Sequence, residues 1–265
     1  MFDKLLLAVD PSKRLKPARE YAIALSEKLE VPLVAAFISN PKKAGTSTAS
    51  LDTRDGFTAL GKRQLKQIVD ANRSIKIKPI IKRGKRHKVL AKMVDDGIGD
   101  TLILGPFRSY LSRLFTGSEV ERILEYESSH AFVVRNEHPL PGPGSPALVV
   151  VDGNDFSDKA ISSIEDFARK FGCDIELLYL GKNRINTDFM DSTVISLRDR
   201  LGEKFHITST IIPHSFFKSR KAITNSVAVA EGARIVVLPV IDHLVSEFLL
   251  HQVVLDASVP VCVIR

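Results

Sequence analysis

The chain has 265 residues, 44% of them hydrophobic and 26% charged, an ordinary balance for a globular protein and a length that suits two domains. Its two cysteines, Cys173 and Cys262, give no disulfide framework, which excludes the small cross-linked secreted class and suits a reducing, cytoplasmic location. The net charge of +7 is uneven: residues 1–135 carry 25 Lys+Arg against 15 Asp+Glu, residues 136–265 carry 13 against 16.

The predicted elements begin with an apolar strand, KLLLAV, at residues 4–9. Asp10 interrupts the apolar start, which is too short for a signal segment. PAREYAIALSEKL places Ala18, Tyr21, Ala22, Leu25 and Leu29 on one helical stripe. VPLVAAFI is a second strand, residues 40–55 a polar loop, and ALGKRQLKQIVDA a helix. IKIKPII alternates and contains Pro79, which suits an outer strand of a sheet. The basic run Lys82 to Lys88 follows it. HKVLAKMVDD is a helix, TLILG a strand, SEVERILEYE a helix and AFVVR a strand. Residues 136–146, NEHPLPGPGSP, hold four prolines and two glycines and sustain neither helix nor strand. They divide the chain into domains at 1–137 and 146–265 with a linker at 138–145.

The second domain repeats the first. LLLAVDPSKRLKPAREYAIALSEKLEVPLVAAFI from Leu5 aligns without a gap to ALVVVDGNDFSDKAISSIEDFARKFGCDIELLYL from Ala147, so Asp10 maps onto Asp152 and Phe37 onto Tyr179. DTLILG from Asp100 is matched with ARIVVL from Ala233, and HAFVVR from His130 with PVCVIR from Pro260. A repeat this long reads as a duplicated domain rather than a solenoid unit. Apolar strands alternating with helices imply a parallel sheet covered on both faces, a doubly wound α/β sandwich in each half with five strands.

Ligands of such sheets lie beyond the carboxyl ends of the strands, where the strand order reverses. Three segments of the first half belong there: the turn Val9-Asp10-Pro11, the end of strand two near Ile38, and the loop from Gly105 to Ser118. Thr116-Gly117-Ser118 opens a helix whose free N–H groups suit a phosphate, and Arg108 and Arg113 add positive charge. The same residues have structural readings: Ser118 and Glu121 form a capping box, Gly105 can be a turn residue, and Asp10 can cap the helix that follows. No P-loop is present and no Ser-His-Asp order assembles. Asp242, His243 and His251 fit no metal-ligand spacing, and no metal site is expected.

With those motifs in place, the chain resembles a tandem universal stress protein, two domains of the UspA type in one polypeptide. The resemblance rests on the AVDPS turn, the DTLILG strand, GSEVERIL and the terminal AFVVR, and covers nearly all of both halves. It implies an adenine nucleotide alpha hydrolase-like fold and a loop G-x2-G-x9-G-[ST] that wraps ribose and phosphates. Carried over by position, it implies ATP (with Mg²⁺) or AMP bound by Val9, Asp10, Ile38, Leu104, Gly105, Gly117 and Ser118, with Arg108 alongside. It further implies pairing of the terminal strands, which would make the chain its own pseudo-dimer, and leaves a homodimer of chains open. The sequence departs from the pattern. The loop is one residue short, and Gly105-Pro-Phe-Arg108 lacks the second glycine. In the second half Leu238-Pro239 replaces the first glycine, and Glu247-Phe248 stands at Gly117-Ser118, where a carboxylate and a phenyl ring oppose a phosphate. The expected function is a stress-response protein binding adenine nucleotide in its first half only, with slow hydrolysis at most because no general base is evident. The rival is a nucleotide-free scaffold acting through an unidentified protein partner. Aromatic residues do not interleave with the basic ones, so nucleic acid is not an expected partner, and no apolar run reaches the ~18 residues of a membrane helix.

Overall fold

The computed structural model describes residues 1–9, 13–39, 52–105, 129–152, 156–181, 187–213, 220–241 and 245–265. They form two compact units, Phe2–Glu137 and His138–Arg265, the latter including Met1.

In the first unit the strands are β1 (Leu5–Val9), β2 (Leu33–Ser39), β3 (Ile77–Arg83), β4 (Thr101–Leu104) and β5 (His130–Val133). They pair in parallel in the order β3-β2-β1-β4-β5. The order explains the sequence: β1, flanked on both edges, is buried along its whole length, which its unbroken apolar run requires. The outer strand β3 alternates lysine with apolar residues and is nowhere fully buried. The amide of Leu33 donates to Lys76 O, and that of Gly84 to Ser39 O. The even-numbered residues of β3 therefore face β2, and Pro79 sits on the outward edge, where its missing N–H costs no ladder bond.

Helix α1 (Lys16–Leu29) buries Ala18, Tyr21, Ala22 and Leu25, as its stripe predicts. Its N-cap position is Leu15, without a side-chain cap and after a 3-10 turn at Lys13–Leu15; Asp10 lies outside the described residues. Helix α2 (Asp52–Ala71) begins earlier than the pattern suggests, taking in residues 52–55 that read as loop. Gly61 lets α2 lie on Phe37: a Cβ there would stand 2.4 Å from Phe37 Cδ1. Helix α3 (Arg86–Asp95) buries Leu90, Ala91, Met93 and Val94. Right-handed crossovers put α2 and α3 on opposite faces of the sheet.

The second unit repeats this plan with β6 (Ala147–Val151), α4 (Asp158–Phe171), β7 (Ile175–Gly181), α5 (Thr187–Leu201), β8 (Ile207–Pro213), α6 (Arg220–Ala230), β9 (Ile235–Pro239), α7 (Glu247–Asp256) and β10 (Val261–Ile264). The order β8-β7-β6-β9-β10 mirrors the first. Ser157 caps α4 by accepting from Ala160 N, and Gly172 closes it in the left-handed conformation at φ 61°. In residues 138–145, Ser145 Oγ donates to Gly142 O at 2.9 Å and accepts from Gly142 N at 3.2 Å, closing a tight turn.

The strand pairing corrects one sequence match. Leu7 pairs with Ile103 while Val149, its counterpart, pairs with Val237. Leu102 pairs with Ala131 while Val236 pairs with Val261. Both registers make Leu104 equivalent to Leu238 and Gly105 equivalent to Pro239, one residue away from the match of DTLILG with ARIVVL. Two short apolar runs align almost equally well in either register by composition. In the sheet a one-residue slip would exchange the faces of every side chain.

Candidate functional site

The order of the first sheet reverses beside β1: β2 and β4 flank it, although β2 and β3 lie to one side and β4 and β5 to the other. Val9 ends β1 and pairs with Phe37, the neighbour of Ile38 on β2. Leu104 ends β4, and Gly105 follows it. Four of the sequence-predicted site residues, Val9, Ile38, Leu104 and Gly105, thus gather at the carboxyl edge of three adjacent strands. Their side chains are buried, at 1% exposure for Val9, 4% for Ile38 and 0% for Leu104, with Val9 on the face of its partner Phe37 and Ile38 and Leu104 on the other, so what they offer together at this edge is main-chain groups. The other four, Asp10, Arg108, Gly117 and Ser118, lie outside the described residues.

Gly105 does not adopt a left-handed φ; its want of a Cβ concerns space. A Cβ there would approach Ala18 Cβ and Leu15 Cδ1, each at 3.4 Å. It packs where the start of α1 crosses the end of β4, which brings the Gly105 amide, the entry to α1 and the β1 terminus to one place.

At the same edge of the second unit the described residues include a contact that the sequence pattern did not reveal. Asp152, one residue past β6, accepts from Ser246 N at 2.7 Å and from Ser246 Oγ at 2.5 Å. Ser246 is the N-cap of α7, and its Oγ also accepts from Leu249 N at 3.3 Å. The carboxylate at the end of the first strand is therefore bound to the start of the last helix, where the positive end of the helix dipole would otherwise face an anion. The signal available in sequence was the repeat itself, which puts Asp152 at the position of Asp10, together with a serine directly before the last amphipathic segment. Glu247, the first residue of α7, is exposed, and Pro239 at the Gly105 position has no N–H to offer a ligand.

Two other groups are placed but not at this edge. Glu176 on β7 is 3% exposed. Its Oε1 accepts from Thr210 Oγ1 at 2.7 Å and its Oε2 from Thr208 Oγ1. Burial, above all, pushes its carboxyl up from the ordinary range, with Glu231 adding to the rise and the Thr210 bond and His206 opposing it. Burial likewise pushes the Cys262 thiol well up, which fits a core position rather than a nucleophile. Among the described residues no three His, Cys, Asp or Glu side chains gather as a metal site.

Residues 1–135 match the family model described as the Universal stress protein family. The chain belongs to the universal stress protein family. Solved universal stress proteins share its two-unit plan. One from Archaeoglobus fulgidus DSM 4304 superposes with a TM-score of 0.75 at 15% identity, covering 99% of this chain and 96% of its own. A chain described as a universal stress protein from Pseudomonas aeruginosa UCBPP-PA14 superposes with a TM-score of 0.62 at 11% identity, covering 99% and 93%. At those identities the likeness is one of fold, and it extends over both halves. No functionally curated protein matches the chain. No helix among the described residues of this universal stress protein is long and apolar enough to cross a membrane.

Proposed function

We propose that this universal stress protein is a cytoplasmic stress-response module that binds ATP (with Mg²⁺) or AMP in its first unit only, and that the second unit is a structural copy. The observation that carries the reading is Gly105 after β4 where the second unit has Pro239 at the end of β9. In the first unit Val9, Ile38, Leu104 and Gly105 converge at the reversal of strand order, with a glycine amide at the rim. In the second, Asp152 already holds the start of α7 and Pro239 removes the corresponding donor. A phosphate entering there would meet the Glu247 carboxylate at the helix start, and like charges at a shared site are costly (~1 kcal/mol at 4 Å even in bulk water, roughly fourfold more near a protein surface).

In the first unit the chain's own contribution is to bind and orient: Asp10 and the end of β2 at Ile38 are assigned to the adenine end, and Gly117 and Ser118 to the phosphates. Asp10, Arg108, Gly117 and Ser118 enter this reading from their sequence positions. No general base is assigned, so the role is binding rather than turnover.

The test pairs ligand identification with one substitution. Mass spectrometry of the filtrate from freshly purified, denatured protein is expected to show an adenine nucleotide. Gly117→Glu, which copies Glu247 of the second unit, is expected to remove it while the melting temperature holds. Loss of the charge-assisted contacts corresponds to about 2 kcal/mol or more, roughly a thirtyfold weaker affinity. A folded Gly117→Glu protein that retains nucleotide would refute the placement, and a wild-type filtrate without nucleotide that also gives no heat on titration would favour the scaffold reading.

A further inference from the structure

The outer strand of the first unit carries a concentration of positive charge that neither the fold nor the nucleotide reading uses. Residues 62–92 hold twelve Lys+Arg and a single acid, Asp70. On β3, Lys78 and Lys82 are exposed on the face turned toward α3, and Lys85 and Lys88 are exposed at the start of that helix. On the opposite face Lys62 and Lys66, one turn apart, are exposed on α2. Among the described residues none of these six makes an ion pair, whereas Lys16, Arg19 and Lys92 of the same unit do. The chain supplies its own control. Lys78 pairs with Val34 and Lys82 with Ile38, and their counterparts Glu176 and Leu180 pair with Thr208 and Ile212. The same strand in the same fold is thus built without these charges, so they are not needed to fold it.

We propose that this basic ridge binds the sugar-phosphate backbone of double-stranded nucleic acid without regard to sequence. The charges stand on β3 and on the helices of both sheet faces beside it, α2 and α3, an arrangement suited to the two phosphate backbones of a duplex; a planar lipid surface would meet one face only. Leu60 is the one exposed large apolar side chain among the described residues of this unit, which leaves little to insert into a bilayer. Residues 62–92 contain no Phe, Tyr or Trp, so single-stranded bases find no stacking platform. That absence argued against nucleic acid when bases were the target, and it does not bear on phosphates, for which lysines suffice. A protein strand cannot extend the sheet fully past Pro79, whose outward edge lacks a donor, and lysine is depleted from protein–protein interfaces.

The full-length chain is tested by fluorescence anisotropy with two 20-base-pair duplexes of unrelated sequence, from 50 to 200 mM salt. Both duplexes are expected to bind equally, with affinity falling steeply as salt rises. Lys78→Gln/Lys82→Gln alters only exposed side chains and is expected to weaken binding at low salt. It should also lower the slope of log K against log salt by about two, so that the loss across that range is roughly tenfold smaller. Anionic phosphatidylserine vesicles and polyglutamate serve as rival ligands. Tighter binding to either, weakened by the same double substitution, would overturn the proposal in favour of a membrane or an acidic protein. Absence of duplex binding at 50 mM salt, or an unchanged slope in the variant, would overturn it outright.

Discussion

Removing the Asp152 carboxylate tests whether the second unit closes its own strand edge. In Asp152→Ala the amide and hydroxyl of Ser246 lose acceptors at 2.7 and 2.5 Å, and Ser246 keeps only its longer 3.3 Å role as cap of α7. Hydrogen bonds to a charged group contribute about 1.5–3 kcal/mol each. The pair is half-buried, so water can replace part of that, and we take the lower end for each bond, a loss of about 2–3 kcal/mol in total. For a chain of this size each kcal/mol corresponds to about 2–4 °C, so the transition of the second unit should fall by roughly 5–10 °C. Asp152→Asn keeps one acceptor and should lose about half as much. Differential scanning calorimetry of the three proteins reads both numbers. A melting temperature within 1 °C of wild type for Asp152→Ala would show that the carboxylate does not hold the helix.

Gly61→Ala should destabilise the first unit by about 1–3 kcal/mol in urea unfolding despite the ~1 kcal/mol gain in helix propensity, because the new methyl meets the Phe37 ring at 2.4 Å and that ring is 1% exposed. Restored stability in Gly61→Ala/Phe37→Leu would assign the cost to that contact, and a Gly61→Ala protein as stable as wild type would contradict it. Gly105→Ala should fold with a melting temperature within about 2 °C of wild type, since its Cβ would only touch Ala18 and Leu15 at 3.4 Å; a large drop would mean the α1 crossing is tighter than described. Glu176→Gln should be more stable than wild type at pH 7.5, because burial raises the folded carboxyl above its unfolded value. The stability that a protonated Glu176 retains is present at low pH and lost as pH rises through the raised value. The gap between the two proteins should therefore close at pH 4.5, and thermal melts showing a gap that widens on acidification would refute the sign.

The strands were legible because burial dictates their composition. LLLAV reads as a central strand since both its edges and both its faces are covered, and Pro79 with its flanking lysines marks β3 as an outer one. The helical stripe of α1 appears as its buried Ala18, Tyr21, Ala22 and Leu25. The start of α2 was hidden because its first turn is polar, and polar residues at a helix end resemble a loop in composition. The register of β9 was missed by one because a run of valine, isoleucine and leucine carries no internal landmark; only its pairing with β6 and β10 sets it. At the site, the converging strand ends follow from the order of strands, which alternating elements imply. The Asp152–Ser246 contact joins residues 94 positions apart, and no local pattern announces a bond of that span.

Calorimetric titration of the nucleotide-free chain with ATP and Mg²⁺, and separately with AMP, measures the asymmetry between the two units directly. One site per chain is the expected result, lost in Gly117→Glu and retained in Asp152→Ala, where Glu247 and Pro239 still oppose a ligand. Two equivalent sites per chain, or a site that survives Gly117→Glu, would contradict it.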